Sequence, residues 1–344
     1  MTKPKLIMLP GTEEIGEKIL LELKKKYGFE DVEVDFKRID FNDGTSKVKI
    51  NSSIYNSRIF ILIDPYNYGV TYQMRGNKHP VDPDKHMMTL QRTISAIQND
   101  AEIVIIMPML YGARQDKRDG REDLITSKLL HDLDGFVKRI ITFDIHSDGF
   151  QNAMVKSSLN SFSTTKQIFK SYFENNPEVK PSEVFCLGTD EGALKRTVKM
   201  SEYVGKGCNY GTCIKVRSTE ERTNGVYNVD YHKFVGNEDQ LKGKNILITD
   251  DMIDSGGSLI GVLKMLKDKN CKSIDIAVSF GLFTKGIEEF EKVKDLFKKL
   301  YVTNATYLSP ELKEIPWIEI VDITETISDA INTISTKNPL EKFF

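Results

Sequence analysis

Residues 245–266 read NILITDDMIDSGGSLIGVLKML, an apolar run that ends in acids and glycines. Asp250 and Asp251 stand together, Asp254 follows, and Ser255, Gly256, Gly257 and Ser258 precede a helical pattern. Glycines let a backbone approach a ligand or take positive φ. Ser255 or Ser258 can cap the next helix, and the free N–H groups at a helix start attract phosphate. An ordinary capped turn between strand and helix uses the same residues. The paired carboxylates tip the balance, because they disfavour a phosphate at their own position. They suit sugar hydroxyls or a divalent cation. The stretch therefore reads as a site for a ligand with a phosphate at one end and a diol at the other.

Four more apolar runs end in comparable groups. MLYGARQDKRDGRED follows IVIIMP, and DIHSDG follows IITF. TDEGALKR follows VFCLG, and RSTEERTNG follows TCIKV. Loops are polar anyway, which explains each case singly. Five together fit better with ligands bound beyond the carboxyl ends of parallel strands. Taken alone, Arg114 reads as a solvated loop residue and His146 as a satisfied histidine. Asp190 reads as a helix N-cap.

The elements that must position these groups alternate along the chain. Short β-branched runs (KLIML, VEVDF, RIFILI, EIVIIMP, RIITFDI, EVFCLG, TCIKV, NILIT, SIDIAVSF, IEIVDI) are separated by helical patterns. The clearest patterns cover 12–26, 84–98, 190–201, 258–268 and 324–334. This alternation predicts an α/β fold with mainly parallel sheets. Ten runs are too many for one comfortable sheet, so two similar halves are expected, joined near Asn160. The polar stretches 66–83 and 217–230 read as long loops, which are often functional.

Composition narrows the function classes. The 344 residues carry 48 Lys plus Arg against 50 Asp plus Glu, a net charge of -2. That balance gives no general attraction to nucleic acid or anionic membrane. No apolar run approaches the roughly 20 residues of a membrane span, and the first residues do not read as a signal peptide. The four cysteines form no C-x-x-C pair, which predicts a reduced, cytoplasmic protein. A disulfide or metal role for Cys208 with Cys213 is disfavoured, since no second ligand pair accompanies them.

TDDMIDSGGS resembles the PRPP-binding motif of type I phosphoribosyltransferase folds. The remaining motifs resemble one branch, the ribose-phosphate pyrophosphokinases or PRPP synthases. FNDG (41–44) is similar to the branch's adenine-contact segment, and MPMLYGARQDKRDGREDLITSKLL to its ATP-contact segment. TFDIHSDGFQNAM, GTDEGALKR and IKVR are similar to three further motifs, in the family's order. The resemblance implies two phosphoribosyltransferase-type domains. Residues 1–160, joined by 323–344, would form the ATP side, and 161–322 the ribose 5-phosphate side.

The resemblance also implies roles. Phe41, Asp43 and Thr45 would meet adenine from a neighbouring subunit, with Thr45 where the family usually has Glu. Arg114, Gln115 and His146 would meet ATP, and His146 and Asp190 would be associated with Mg²⁺. Lys215 and Arg217 would be catalytic, with Val216 at the centre of the family's basic trio. Strand alternation puts the outer two on one face. Arg217, Asp250, Asp251, Asp254, Ser255, Gly256, Gly257 and Ser258 would hold ribose 5-phosphate. The implied reaction makes PRPP and AMP in a homo-oligomer built from dimers, as a hexamer in the family. A catalytically impaired synthase-like subunit and a PRPP-consuming transferase are the alternatives.

Overall fold

The structure, a computed structural model, describes residues 3–97, 100–118, 120–223 and 226–344. Side chains of 217–230 lie outside the described set. The chain divides into two compact units. The first comprises Met1–Ser163, Asn304–Tyr307 and Asp322–Phe344, and the second Thr164–Thr303 and Leu308–Val321.

Strands of the first unit are β1 (Pro4–Met8), β2 (Phe36–Asp40), β3 (Ser46–Ile50), β4 (Arg58–Leu62), β5 (Thr71–Met74), β6 (Asn77–Pro80), β7 (Glu102–Ile106), β8 (Arg139–Phe143) and β9 (Ser158–Phe162). Its sheet runs β1-β4-β7-β8-β9, parallel throughout. Strand β4, RIFIL, is buried along its whole length, as expected of a strand covered on both faces. Helices α1 (Glu13–Tyr27), α2 (Pro83–Ile97) and α3 (Ile125–Leu133) belong to this unit. Helix α1 stops at Gly28, whose φ of 67° lets its N–H reach the Leu23 and Lys24 carbonyls.

Residues 66–83 are not the plain loop that their polarity suggests. Strands β5 and β6 pair antiparallel across a two-residue turn, with Arg75 and Gly76 at φ 49° and 80°. Two consecutive positive φ values match the twist of a tight hairpin. Strands β2 and β3 form a second, separate hairpin. VEVDF also departs from expectation, since β2 starts only at its last residue, Phe36.

The second unit holds β10 (Val184–Gly188), β11 (Asn209–Thr223), β12 (Val226–Val235), β13 (Asn245–Ile253), β14 (Ser273–Gly281), β15 (Leu300–Thr303) and β16 (Ile318–Val321). The order is β12-β11-β10-β13-β14-β15-β16, parallel except for the β11/β12 ribbon at one edge. Its helices are α4 (Thr165–Asn175), α5 (Leu194–Val204), α6 (Gly257–Leu266) and the single turns α7 (Glu288–Glu291) and α8 (Pro310–Lys313). Backbone pairing carries β11 to Thr223 and β12 back from Val226, so the stretch expected as a loop at 217–230 is largely an antiparallel ribbon. The final helix, α9 (Thr324–Ser335), returns to the first unit. Lys26 reaches Glu325 and Asp329 there, at 2.7 and 2.8 Å. The molecule is therefore α/β with two mainly parallel sheets, as the alternation of runs predicts.

Candidate active site

The apolar run NILIT does not stop the strand. Pairing with β14 carries β13 on through Asp250, opposite Val278, and Met252, opposite Phe280. Both acids thus stand on the strand's carboxyl-terminal part rather than in a loop. Thr189 Oγ1 donates to Asp250 Oδ2 at 2.6 Å, and the Asp251 N–H donates to Asp250 Oδ1 at 2.8 Å. Asp251 is buried, with an Arg196 nitrogen 3.9 Å from its Oδ1. Burial, reinforced by the charge of Asp251, pushes the Asp250 carboxyl up to about 7.

Five residues after Asp251, Gly256 takes φ 80° and is the N-cap of α6. Neither serine caps the helix through its side chain, contrary to the sequence expectation. The conformation needs glycine twice over. Its φ is in the left-handed region, and a Cβ there would meet Phe290 Cε2 at 2.5 Å. Gly257 and Ser258 open α6, so their N–H groups are among those a helix start leaves without intrahelical acceptors. Asp254 accepts from Thr284 Oγ1 at 2.7 Å, and its carbonyl accepts the Thr284 N–H at 2.9 Å. It ties the loop to the segment after β14. A cavity of about 990 Å³ opens here, lined by Ser255, Gly257, Ser258, His232, Lys264 and Lys285 among others.

Asp190 follows β10 and does two things at once. Oδ1 accepts the Ala193 N–H at 3.2 Å as an N-cap, and Oδ2 takes the ammonium of Lys215. Lys215 lies on β11 opposite His232 of β12. The register slips between Val216 and Arg217, which interrupts the simple alternation expected there. The side chain of Arg217 lies outside the described residues. Asp190, Asp250, Asp251 and the 255–258 turn thus belong to the carboxyl ends of β10 and β13, and Lys215, midway along β11, joins them through Asp190.

In the first unit, Arg114 and Gln115 are exposed on the turn after β7. Gly112 shapes that turn with φ 65°, and its N–H donates to Tyr66 Oη at 2.9 Å. His146, also exposed, follows β8, the neighbour of β7. Just before it, Asp144 takes φ 34°, a costly value for a residue other than glycine. Phe41, Asp43 and Thr45 are set apart on the β2/β3 turn. Thr45 donates to Asp43 Oδ1 twice, from N at 2.9 Å and from Oγ1 at 2.6 Å, and these bonds hold the Asp43 carboxyl below its usual range.

Two family models match the chain. The N-terminal domain of ribose phosphate pyrophosphokinase matches residues 5–133, and the phosphoribosyl transferase domain matches 152–308. The chain belongs to the ribose-phosphate pyrophosphokinase family. A ribose-phosphate pyrophosphokinase of Mycoplasmopsis pulmonis is 24% identical over 343 residues, covering 97% of this chain and 95% of that protein. Ribose-phosphate pyrophosphokinase 1 of Streptococcus pneumoniae is 27% identical over 352 residues, covering 99% and 96%. The crystal structure of phosphoribosylpyrophosphate synthetase from Mycobacterium smegmatis superposes with a TM-score of 0.78 at 20% identity, covering 98% of this chain and all of that one. The fold is that of two phosphoribosyltransferase-type domains.

Within this family setting, sequence reasoning passed over four residues. Thr189 and Arg196 stand inside the quoted motif GTDEGALKR, so a signal for them existed. Thr284 and Tyr66 carried none, because their partners lie 30 and 46 residues away in sequence. Among the cysteines, the close pair is Cys186 with Cys208, their Sγ atoms 3.7 Å apart, while Cys213 is buried elsewhere in the core.

Proposed function

We propose that the protein is a ribose-phosphate pyrophosphokinase, transferring the β,γ-pyrophosphoryl group of ATP to ribose 5-phosphate to give PRPP and AMP. The observation that carries this reading is the joint presence, on one sheet, of three things. They are the glycine-shaped helix start, the acid pair and the Lys215 ammonium held by Asp190.

The N–H groups at the start of α6 bind the 5-phosphate, and Asp254 keeps that turn in place through Thr284. Asp250 and Asp251 accept from the ribose hydroxyls. The anomeric hydroxyl then attacks the β-phosphorus, the bond from that phosphorus to the α-phosphate oxygen breaks, and AMP leaves. Such transfer depends mainly on in-line placement and on neutralising charge. Lys215, together with Arg217, supplies positive charge to the migrating group and the leaving AMP. Asp190 aims Lys215 until substrate arrives. Arg114 and Gln115 bind the triphosphate, while Phe41, Asp43 and Thr45 receive the base. A dimer-based homo-oligomer, as large as a hexamer, would let that exposed turn serve a neighbour's nucleotide, and the cytoplasm is the compartment that suits the substrates.

Among the described residues, no three His, Cys, Asp or Glu side chains gather around one point as a metal cage. Mg²⁺ does not require one, because it is usually held by one or two protein groups, phosphate oxygens and water. Asp190 would offer its carboxylate to such an ion, and His146 would act through a phosphate or a water. Bound magnesium supplies neutralisation of the phosphate charge.

The test is direct. Pure protein incubated with ATP, Mg²⁺ and ribose 5-phosphate is expected to release AMP and PRPP in equal amounts. Hydrolysis of ATP without PRPP, or no reaction at all, would reject this reading.

A further inference from the structure

The hairpin at 66–83 sits between the two turns of the first unit assigned to ATP, and it touches both. At its base, Tyr66 Oη accepts the Gly112 N–H at 2.9 Å, in the turn that bears Arg114 and Gln115. At its tip, the Arg75 N–H donates to the Asn42 carbonyl at 3.0 Å, inside the base-contact turn 41–45. The Met74 thioether fills the space a side chain at Gly44 would need, 2.6 Å from an ideal Cβ. Gly44 has φ 88°, so Met74 packs against backbone that only glycine offers. Lys85, at the start of α2, donates to the Gly44 carbonyl at 2.6 Å while its ammonium lies 4.0 Å above the Tyr72 ring of β5.

The base of the hairpin is itself anchored. The buried Asp64 carboxylate accepts the N–H groups of Tyr66, at 3.0 Å, and Tyr307, at 2.7 Å, and the hydroxyl of Thr306. Asn67 donates to the Gly11 carbonyl at 2.7 Å, and His86 Nε2 meets the Asn67 carbonyl at 2.9 Å. The hairpin is therefore a strut between fixed points. A turn such as 41–45, exposed and short, has many conformations of similar energy unless something selects one. Here the Asp43 and Thr45 bonds close the turn internally, and Met74, Arg75 and Lys85 fix it from outside.

We infer that the β5/β6 hairpin is a positioning element for the nucleotide base, with Met74, Arg75 and Lys85 setting the conformation in which Phe41, Asp43 and Thr45 are presented. This rests on the proposal that residues 41–45 receive the base of ATP. None of the three residues touches substrate; each acts through the turn. Selectivity among nucleoside triphosphates follows from the same fixation, since a turn held in one shape discriminates between bases better than a mobile one.

The experiment compares Met74→Ala with Met74→Leu, which keeps the volume against Gly44. Met74→Ala is expected to raise KM for ATP about tenfold and to narrow the ATP-to-GTP ratio of kcat/KM by a similar factor. KM for ribose 5-phosphate should stay within twofold, and Met74→Leu should restore both ATP values. A parallel rise in both KM values, or an unchanged ATP-to-GTP ratio in Met74→Ala, overturns the inference. Calorimetric titration of ATP into each variant reads the same effect without turnover. Wild type that binds ATP yet makes no PRPP sinks the activity alone. Equal ATP affinity in wild type and Met74→Ala sinks the positioning role alone.

Discussion

The two units use one type of sheet and arrange their polar groups in opposite ways. In the second unit, the acids and the lysine are half-buried or buried and bonded to one another before any ligand arrives. In the first, Phe41, Asp43, Arg114, Gln115 and His146 are exposed on turns. The turns that carry them are braced through Tyr66, Met74 and Lys85. The difference teaches two ways of preparing a site. One holds the reacting groups in mutual hydrogen bonds, at a cost in desolvation and like-charge contact. The other leaves side chains exposed and stiffens the turns that carry them.

The contrast breaks most visibly at Lys215. Lys215→Ala should lower turnover about 10²–10³-fold, the scale of removing one prepared charge from a transfer reaction. The half-exposed Asp190 can be rehydrated, so the melting temperature should barely move. Turnover near wild type in an AMP-release assay would remove Lys215 from the chemistry.

Next in size is Gly256→Ala. Positive φ and the Phe290 contact together should cost about 2–4 kcal/mol. Thermal unfolding should register this along with weaker ribose 5-phosphate binding. Gly257→Ala meets nothing closer than 3.8 Å and should melt like wild type, and equal losses for the two would mean that φ is not what the turn demands.

The smallest expected effect tests the strain of the acid pair. Asp250 holds its proton to about pH 7 when folded, against an ordinary value of 3.8. The folded state therefore binds the extra proton, and the stability it brings is complete below about pH 4. That stability is lost as pH rises through 7. Asp250→Asn should remove this fall and, at pH 8, melt above wild type, while binding ribose 5-phosphate less well. Asp64 and Asp275, pushed up to about 6 by burial, titrate in the same direction, so the comparison is between variant and wild type at each pH. Identical pH profiles would show that the pair carries no strain.

Legibility in the sequence followed the same division. Strands such as RIFIL and SIDIAVSF are mostly apolar and buried along their whole length, and α1, α2, α6 and α9 begin within a residue of their predicted starts. TYQM and NKHP were not legible, because each is a four-residue strand without a buried face, joined by Arg-Gly rather than a strong turn pair. The polar ribbon after Lys215 escaped for a similar reason. Gly256 and Asp190 stood out by type and position. The continuation of β13 through two acids did not, since pairing with β14 overrides the local preference of Asp. Partners such as Thr284 depend on tertiary approach, which no local pattern encodes.

The return of α9 to the first unit has a consequence for biosynthesis. Residues 164–303 and 308–321 are made in full before 322–344 leave the ribosome, and only then can α9 reach α1 and Phe343 stack on Phe162 at 4.6 Å. The second unit is thus free to fold while the first still lacks a wall. Until that wall arrives, the α1 surface around Lys26 and Tyr27 has no α9 to receive it. A nascent chain stalled near residue 321 would be the species most in need of a chaperone.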